Sequence, residues 1–410
     1  MFRPRTHPLF TAFTKNDGSK VNVWTTFSED QADYDFSRAE VLLEFIRIFL
    51  MYSRRGGRML RLDAIAYLWK EDGTPCLHHS KTHAFVRLLR AIIDCLGLPV
   101  LLLTETNVPH RDNISYFGGR FSNGSFADKT AGKAPSGDEA HLVYNFALPP
   151  LALHAAISGN AGPLQKGAAG LRALPAGKYF LNFLASHDGI GLGPTKGLVD
   201  DSEFNQTLEE AKKRGALVSM KSTSAGPIPY ELNCSWADMV APASLGSTET
   251  QARAFLATYA AAMALPGLPA VYFHSWIGSR AWKEGPGFLG YNRAINREKP
   301  TIDIVEKELA DSGSFRSLVL GGFRKLLEFR AAQEAFNPEV PCKVLESQAG
   351  LFALYRGSCG GGGVLCVQNF SASQERFNPG MSGLGEITIA AHGLAWIAFD
   401  SGGIRGEVSF

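Results

Sequence analysis

Between Arg58 and Ser275 the chain alternates short apolar runs with longer amphipathic segments, and this alternation constrains its fold more than any other feature. The runs are RMLRLD (58–63), LPVLLLTE (98–105), AHLVYNF (140–146), KYFLNFLASHD (178–188) and LPAVYFHS (268–275). Helical patterns such as THAFVRLLRAIIDCL (82–96) and TQARAFLATYAAAMAL (250–265) separate them. Strand-then-helix order builds a parallel sheet, and runs that are apolar on both faces imply strands covered on each side. A further helical stretch, 314–334, ends at the breaker AFNPEVP. After it come the short segments KVLESQAGLFALYRG, GVLCVQNF and EITIAAHGLAWIAF, punctuated by a glycine run, Gly360–Gly363, that reads as a hairpin turn. A small antiparallel domain is therefore expected, beginning near Pro341.

The charges within these runs point to chemistry. Asp63, Glu105 and Asp188 each stand at the C-terminal end of an expected strand, the edge at which parallel β/α folds place their active sites. A single acidic residue there is as readily a helix N-cap. Three together, with Arg61 and His187 beside them, read better as a constellation. Arg61 lies two residues before Asp63, hence on the same face of a strand, where its charge keeps the carboxylate ionised.

Composition narrows the partners. Lysine and arginine number 41 against 39 acidic residues, with no basic block, so neither nucleic acid nor an anionic membrane is an expected partner. The N-terminal MFRPRTHPLF lacks an apolar signal core, and the best apolar run, 41–52, contains Glu44 and Arg47. That predicts a cytoplasmic chain without a membrane span. Six cysteines are scattered with no CxxC pair and no His/Cys cluster at zinc spacing, which predicts reduced thiols and no metal.

RLDAIAYLWKEDGTPC, LLLTETNVPH and NFLASHDGIG resemble the second, third and fourth signature regions of the α-amylase superfamily, glycoside hydrolase family 13. The words YNFALPPLALHA (144–155), PYELN (229–233), LPAVYFHSWIGSR (268–280) and NRAINRE (292–298) resemble the sucrose phosphorylase subfamily. The resemblance implies an α/β fold: a partial TIM (β/α)8 barrel, equivalent to strands 4–8, followed by a small antiparallel β domain. It divides the chain into a remnant of a B domain and linker (1–37), the C-terminal part of the barrel (38–340) and a β domain (341–410). It also implies a retaining glucosyl transfer from a small-molecule α-glucoside to inorganic phosphate, with no cofactor. Asp63 matches the family's nucleophile, Glu105 its acid/base and Asp188 its third carboxylate, with His187 donating to the same sugar. Tyr67, Tyr230, Glu231 and Arg297 match positions on the acceptor side, and Arg293 is their neighbour. The chemistry agrees with the residue types, since retaining transfer needs two carboxyl groups roughly 5–5.5 Å apart in different environments. Glu105, behind the apolar LPVLLLT, is the better placed to hold a proton.

Two departures limit the resemblance. Sucrose phosphorylases carry glutamine after the loop tyrosine, where this chain has Glu231. Together with TETNVPH and LWKEDGTPC, that is closer to the branch holding glucosylglycerate and sucrose 6-phosphate phosphorylases, so the acceptor stays open. Family members also place three β/α units and an inserted domain before RLDA, whereas 62 residues precede Asp63 here. An N-terminally truncated chain is the expectation, with an open sheet edge that favours aggregation, a homodimer or pairing with a missing N-terminal segment. Hydrolysis or transglucosylation of α-glucosides, and an inactive remnant that only binds carbohydrate, stand as alternatives.

Overall fold

The computed structural model describes residues 8–119, 137–171, 174–223, 226–357 and 362–410. They fall into two compact units, the first made of Met1–Tyr144, Pro175–Lys178 and Ser219–Tyr230, the second of Asn145–Leu174, Tyr179–Val218 and Glu231–Phe410.

The first unit opens with an antiparallel hairpin of β1 (Phe10–Thr14) and β2 (Lys20–Trp24). Helix α1 (Ala39–Arg54) then leads to β3 (Met59–Leu62), and helix α2 (Ser80–Leu96) to β4 (Leu101–Thr104). With β5 (Leu142–Tyr144) these strands form a parallel sheet in the order β3–β4–β5. Its register sets up the chemistry, because Leu62 lies opposite Thr104 and Thr104 opposite Val143. The next residues along each strand, Asp63, Glu105 and Tyr144, therefore emerge at one edge. Helix α2 is capped by the His79 side chain, which accepts from the Lys81 N–H, and by Gly97 in the left-handed region at φ 60°. It buries Phe85, Val86, Leu89 and Ile93 along one stripe, each contributing roughly 1.5–3 kcal/mol.

One expectation fails in this unit. Strand β4 is covered, with Leu102, Leu103 and Thr104 buried, but β3 leaves Met59 and Arg61 exposed and Leu60 and Leu62 half-buried. Among the described residues β3 pairs with β4 on one side only, and α1 buries just Phe49 and Ser53. An apolar run of this kind does not say how many neighbours its strand will have.

The second unit contains β6 (Tyr179–Asn182) and the short β7 (Ile190–Gly191). Strands β8 (Leu217–Thr223) and β9 (Gly226–Asn233) follow in the chain, their Ser219–Tyr230 portion counted with the first unit, and the Glu231–Leu232 end of β9, in the second, pairs antiparallel with β7. Strand β10 (Leu268–Pro269) pairs in parallel with β6. The LPAVYFHS run yields only these two strand residues, and Phe273–Trp276 forms a helical turn. Just beyond Pro269 the Ala270 N–H still donates to the Asn182 carbonyl at 2.8 Å, after which the chain turns away. Helix Thr248–Ala264 is buried on nearly every side from Ala254 onward and packs with Val319, Phe323 and Leu326 of helix Phe315–Ala331.

The C-terminal segments form the expected antiparallel sheet: β11 (Cys342–Val344), β12 (Leu351–Gly357) and β13 (Gly363–Asn369), then, beyond the small hairpin of β14 (Glu375–Phe377) and β15 (Ile387–Ile389), β16 (Leu394–Asp400) and β17 (Gly403–Ser409). The order is β11–β12–β13–β16–β17. Gly357 pairs with Gly363, while Gly360 and Gly361 of the expected turn, and Cys359, lie outside the described residues. Among the described residues no helix is long and apolar enough to cross a membrane.

Candidate active site

In the first unit one guanidinium organises the strand ends. Arg61 Nη1 donates to Asp63 Oδ1 at 2.5 Å, Nε donates to the Tyr144 hydroxyl at 3.1 Å, and Nη2 lies 3.9 Å from Glu105 Oε2. Burial lowers the Arg61 pKa, but Tyr144, Glu105 and Asp63 outweigh it and hold the cation firmly charged. The two carboxyl groups differ in surroundings: the Asp63 side chain is 72% exposed and that of Glu105 only 15%.

Backbone geometry joins them. Ala64 takes the left-handed conformation at φ 46°, rare for a residue with a Cβ, and its N–H donates to Glu105 Oε2 at 2.8 Å. The strained residue is the one immediately after Asp63. The chain then enters the short 3₁₀ turn Ile65–Tyr67. The Tyr67 ring meets Phe27 edge-on at 5.2 Å, and its carbonyl accepts from Lys70 Nζ. Lys70 is in turn paired with Asp33 at 2.6 Å, which also accepts from the Thr26 N–H and hydroxyl. The segment after β2 thus braces the loop after Asp63. Tyr144 is fixed through its carbonyl, which accepts from Asn113 Nδ2 at 2.7 Å, and Asn113 Oδ1 accepts from Thr106 at 2.6 Å. Tyr230 also belongs to this unit, with Lys221 Nζ 5.2 Å from its ring centre.

In the second unit the ordering cation is Arg293. Its Nε and Nη2 fork onto the two oxygens of Glu231 at 2.9 and 2.6 Å, and its Nη1 donates to Asp188. Glu231 is almost fully buried. Gly189 makes this packing feasible, since a Cβ there would stand 2.6 Å from Glu231 Cγ and 2.7 Å from the Leu232 carbonyl oxygen. His187 is exposed, with Nε2 3.6 Å from Asp188 Oδ1. Arg297 gives Nε and Nη2 to the His187 carbonyl at 3.0 and 2.7 Å and lies over the Tyr291 ring. Among the described residues it has no carboxylate at ion-pair distance. The Tyr272 phenol is pushed up by burial, with Asp188 adding to the rise and Arg297 opposing it.

The structure therefore gathers Arg61, Asp63 and Glu105 in the first unit, with Tyr67 on the adjoining loop and Tyr230 further along the chain. It gathers His187, Asp188, Glu231, Arg293 and Arg297 in the second. Sequence reasoning passed over Tyr144, Asn113, the Asp33–Lys70 pair and Asn296. Tyr144 had a weaker signal, since it lies two residues before the end of the expected run 140–146. Among the described residues no group of three His, Cys, Asp or Glu side chains is placed to hold a metal ion.

No family model matches the chain. The glucosylglycerate phosphorylase of Spirochaeta thermophila is 45% identical over 372 residues, which are 90% of this chain and 60% of that protein. The glucosylglycerate phosphorylase of Escherichia coli is 41% identical over 338 residues, 82% of this chain and 57% of that protein. The chain thus spans about 60% of the length of these curated relatives. The crystal structure of sucrose 6F-phosphate phosphorylase from Thermoanaerobacter thermosaccharolyticum matches with a TM-score of 0.73 at 20% identity, over 100% of this chain and 72% of that one. At that identity the likeness speaks for the fold, and the fold is the expected one, part of an α/β barrel followed by a small antiparallel β domain. Over most of its own residues this chain is thus similar to the glucosylglycerate phosphorylases, at 45% and 41% identity, in keeping with its resemblance to the sucrose phosphorylase subfamily of glycoside hydrolase family 13.

Proposed function

We propose that the chain carries the glucosyl-transfer machinery of a retaining α-glucoside phosphorylase, taking glucosyl from glucosylglycerate or a related α-glucoside to phosphate and giving glucose 1-phosphate. The observation that carries this reading is the arrangement around Arg61, with an accessible Asp63 on one side and a sheltered Glu105 on the other. Asp63 attacks the anomeric carbon while Glu105 gives its proton to the departing glycosidic oxygen, forming a glucosyl ester on Asp63. Phosphate then displaces Asp63 from the opposite side, and Glu105 takes back a proton from the incoming acid. Asp188 and His187 hold the sugar hydroxyls. Tyr67 and Tyr230 border the acceptor.

The acceptor is read as anionic. Arg293 has its charge met by Asp188 and Glu231, whereas Arg297 has no carboxylate partner among the described residues and keeps Nη1 for a phosphate or carboxylate oxygen. A second reading, hydrolysis, is favoured by the 72% exposure of Asp63, which lets water compete for the glucosyl ester. The divisions at 1–37, 38–340 and 341–410, and a cytoplasmic location where phosphate is at hand, belong to the same proposal.

The test is release of glucose 1-phosphate from glucosylglycerate, sucrose 6-phosphate and sucrose in the presence of phosphate. Asp63→Asn should abolish it. Glu105→Gln should spare part of the turnover of α-glucosyl fluoride, whose leaving group needs no proton. Glucose as the sole product, with phosphate without effect, would establish hydrolysis instead.

A further inference from the structure

Beyond Asn182 the chain leaves the β6 ladder, and it does not enter β7 until Ile190. Residues 186–188, which carry His187 and Asp188, therefore have no strand partner in the second unit to fix their peptide planes. Side chains of the 3₁₀ turn Asn292–Asn296, and the Arg297 that ends it, do so instead.

Asn296 is central to this. It is 6% exposed, and its amide Nδ2 donates to the Ser186 carbonyl at 3.1 Å and the Asp188 carbonyl at 2.8 Å. These two carbonyls bracket the one that takes both donors of Arg297. Three successive peptide oxygens are thus held from one turn. The other end of the amide, Oδ1, is buried and accepts no hydrogen bond among the described residues. A buried polar atom without a partner is costly, so what the position retains is a double donor of fixed length. Aspartate, of the same shape, would turn an acceptor against two carbonyl oxygens. Serine would reach at most one of them.

We infer that Asn296 is a positioning residue for Asp188: by tying the carbonyls on both sides of His187, it fixes the direction from which the Asp188 carboxylate meets the sugar. The inference rests on the reading of Asp188 as a sugar-binding carboxylate. Arg293 holds the Asp188 carboxylate itself, whereas Asn296 holds the peptide groups from which that side chain projects.

The experiment uses the full chain and two probes, turnover of α-glucosyl fluoride with phosphate, and glucose binding by saturation-transfer NMR. Asn296→Asp should lower kcat on the order of 100-fold, leave the KM for phosphate within about twofold, and weaken glucose binding in parallel. Asn296→Ser, with one donor retained, should recover part of both losses and provides the reading where Asn296→Asp does not fold. In an Asp188→Asn background the same substitutions should add less than about twofold, because the group they position has already lost its charge. An unchanged kcat in a folded Asn296 variant overturns the inference, as does a full additional loss in the Asp188→Asn background, which marks a general structural role. A wild-type chain that releases no glucose 1-phosphate defeats the phosphorylase reading, and the glucose-binding series then decides the role of Asn296 alone. A chain that neither turns over the fluoride nor binds glucose overturns both.

Discussion

Substituting Glu231 with glutamine changes one atom at a buried, doubly paired charge in the second unit. The Glu231 side chain is 3% exposed and both its oxygens accept from the Arg293 fork, at 2.9 and 2.6 Å. The amide keeps one acceptor and turns the other into an NH₂ that faces a guanidinium N–H. One charge-assisted hydrogen bond is lost, and a charge is left with half of its compensation. Removing a partner from a buried ion pair costs roughly 3–5 kcal/mol, and a hydrogen bond to a charged group contributes roughly 1.5–3 kcal/mol. Arg293 is 27% exposed, so water relieves part of the penalty, and Asp188 still holds Nη1. The expected loss is therefore about 2 kcal/mol, read as a lowering of Tm by a few degrees in a chain of this size. Thermal unfolding of Glu231→Gln, Arg293→Met and the double variant forms a cycle in which the double should cost well below the sum, since each single change strands the other partner. A Glu231→Gln protein as stable as the parent, or an additive cycle, would show that the fork carries no net energy. The same variant reports on specificity, because sucrose phosphorylases resemble it at this position. It should gain turnover on sucrose relative to glucosylglycerate.

Three further outcomes are expected. Lys70→Met removes the tie between Asp33 and the Tyr67 carbonyl and should lower stability by about 1 kcal/mol while speeding amide exchange at residues 64–70; unaltered exchange there would show that the brace is idle. His141 is pulled down to about 4, chiefly by burial and further by Arg90 and Lys178, and its Nδ1 accepts the Leu102 N–H at 3.0 Å. The unfolded chain takes up this proton near pH 6.5 while the folded one resists until about 4, so stability should fall across that window on acidification, and His141→Gln should flatten the slope in urea titrations at pH 7 and pH 5. Gly267 has φ +122° and a Cβ there would lie 2.3 Å from the Phe180 carbonyl oxygen, so Gly267→Ala should cost about 3 kcal/mol by forcing β10 off β6, and a melting curve like the parent's would contradict that geometry.

How much of this could be read from the residues depends on sequence distance. Arg61 and Asp63 share a strand face, so their pairing follows from the two-residue repeat, and the structure has them in contact. The Arg293–Asp188 and Arg293–Glu231 contacts join residues 105 and 62 positions apart. Which of the two arginines in NRAINRE meets the carboxylates is decided by the turn that presents them, and no periodicity encodes it. The covered sheet expected from RMLRLD fails for a similar reason: a strand's composition reflects the solvent it avoids, whereas its neighbours are set by the rest of the chain. LPAVYFHS shows the limit of the apolar run itself, since it yields two strand residues and then a helical turn from Phe273.

The passed-over residues share a cause. Parallel strands deliver chemistry at their C-terminal ends because the ladder stops there and the next peptide groups are free to turn. Free peptide groups are also unsatisfied ones, and each must find a partner. After β3 the Ala64 N–H finds the Glu105 carboxylate. After β5 the Tyr144 carbonyl finds Asn113. After β6 the carbonyls of residues 186 to 188 find Asn296 and Arg297. In each case the partner that satisfies the backbone also aims a side chain, so satisfying the peptide and positioning the reactive group are one act. An acidic residue at such an end is therefore read too narrowly if only its own chemistry is considered. The more complete reading asks which amides and guanidinium groups elsewhere are spare donors of the right length, and Asn296, lying between two arginines already marked, fits that description.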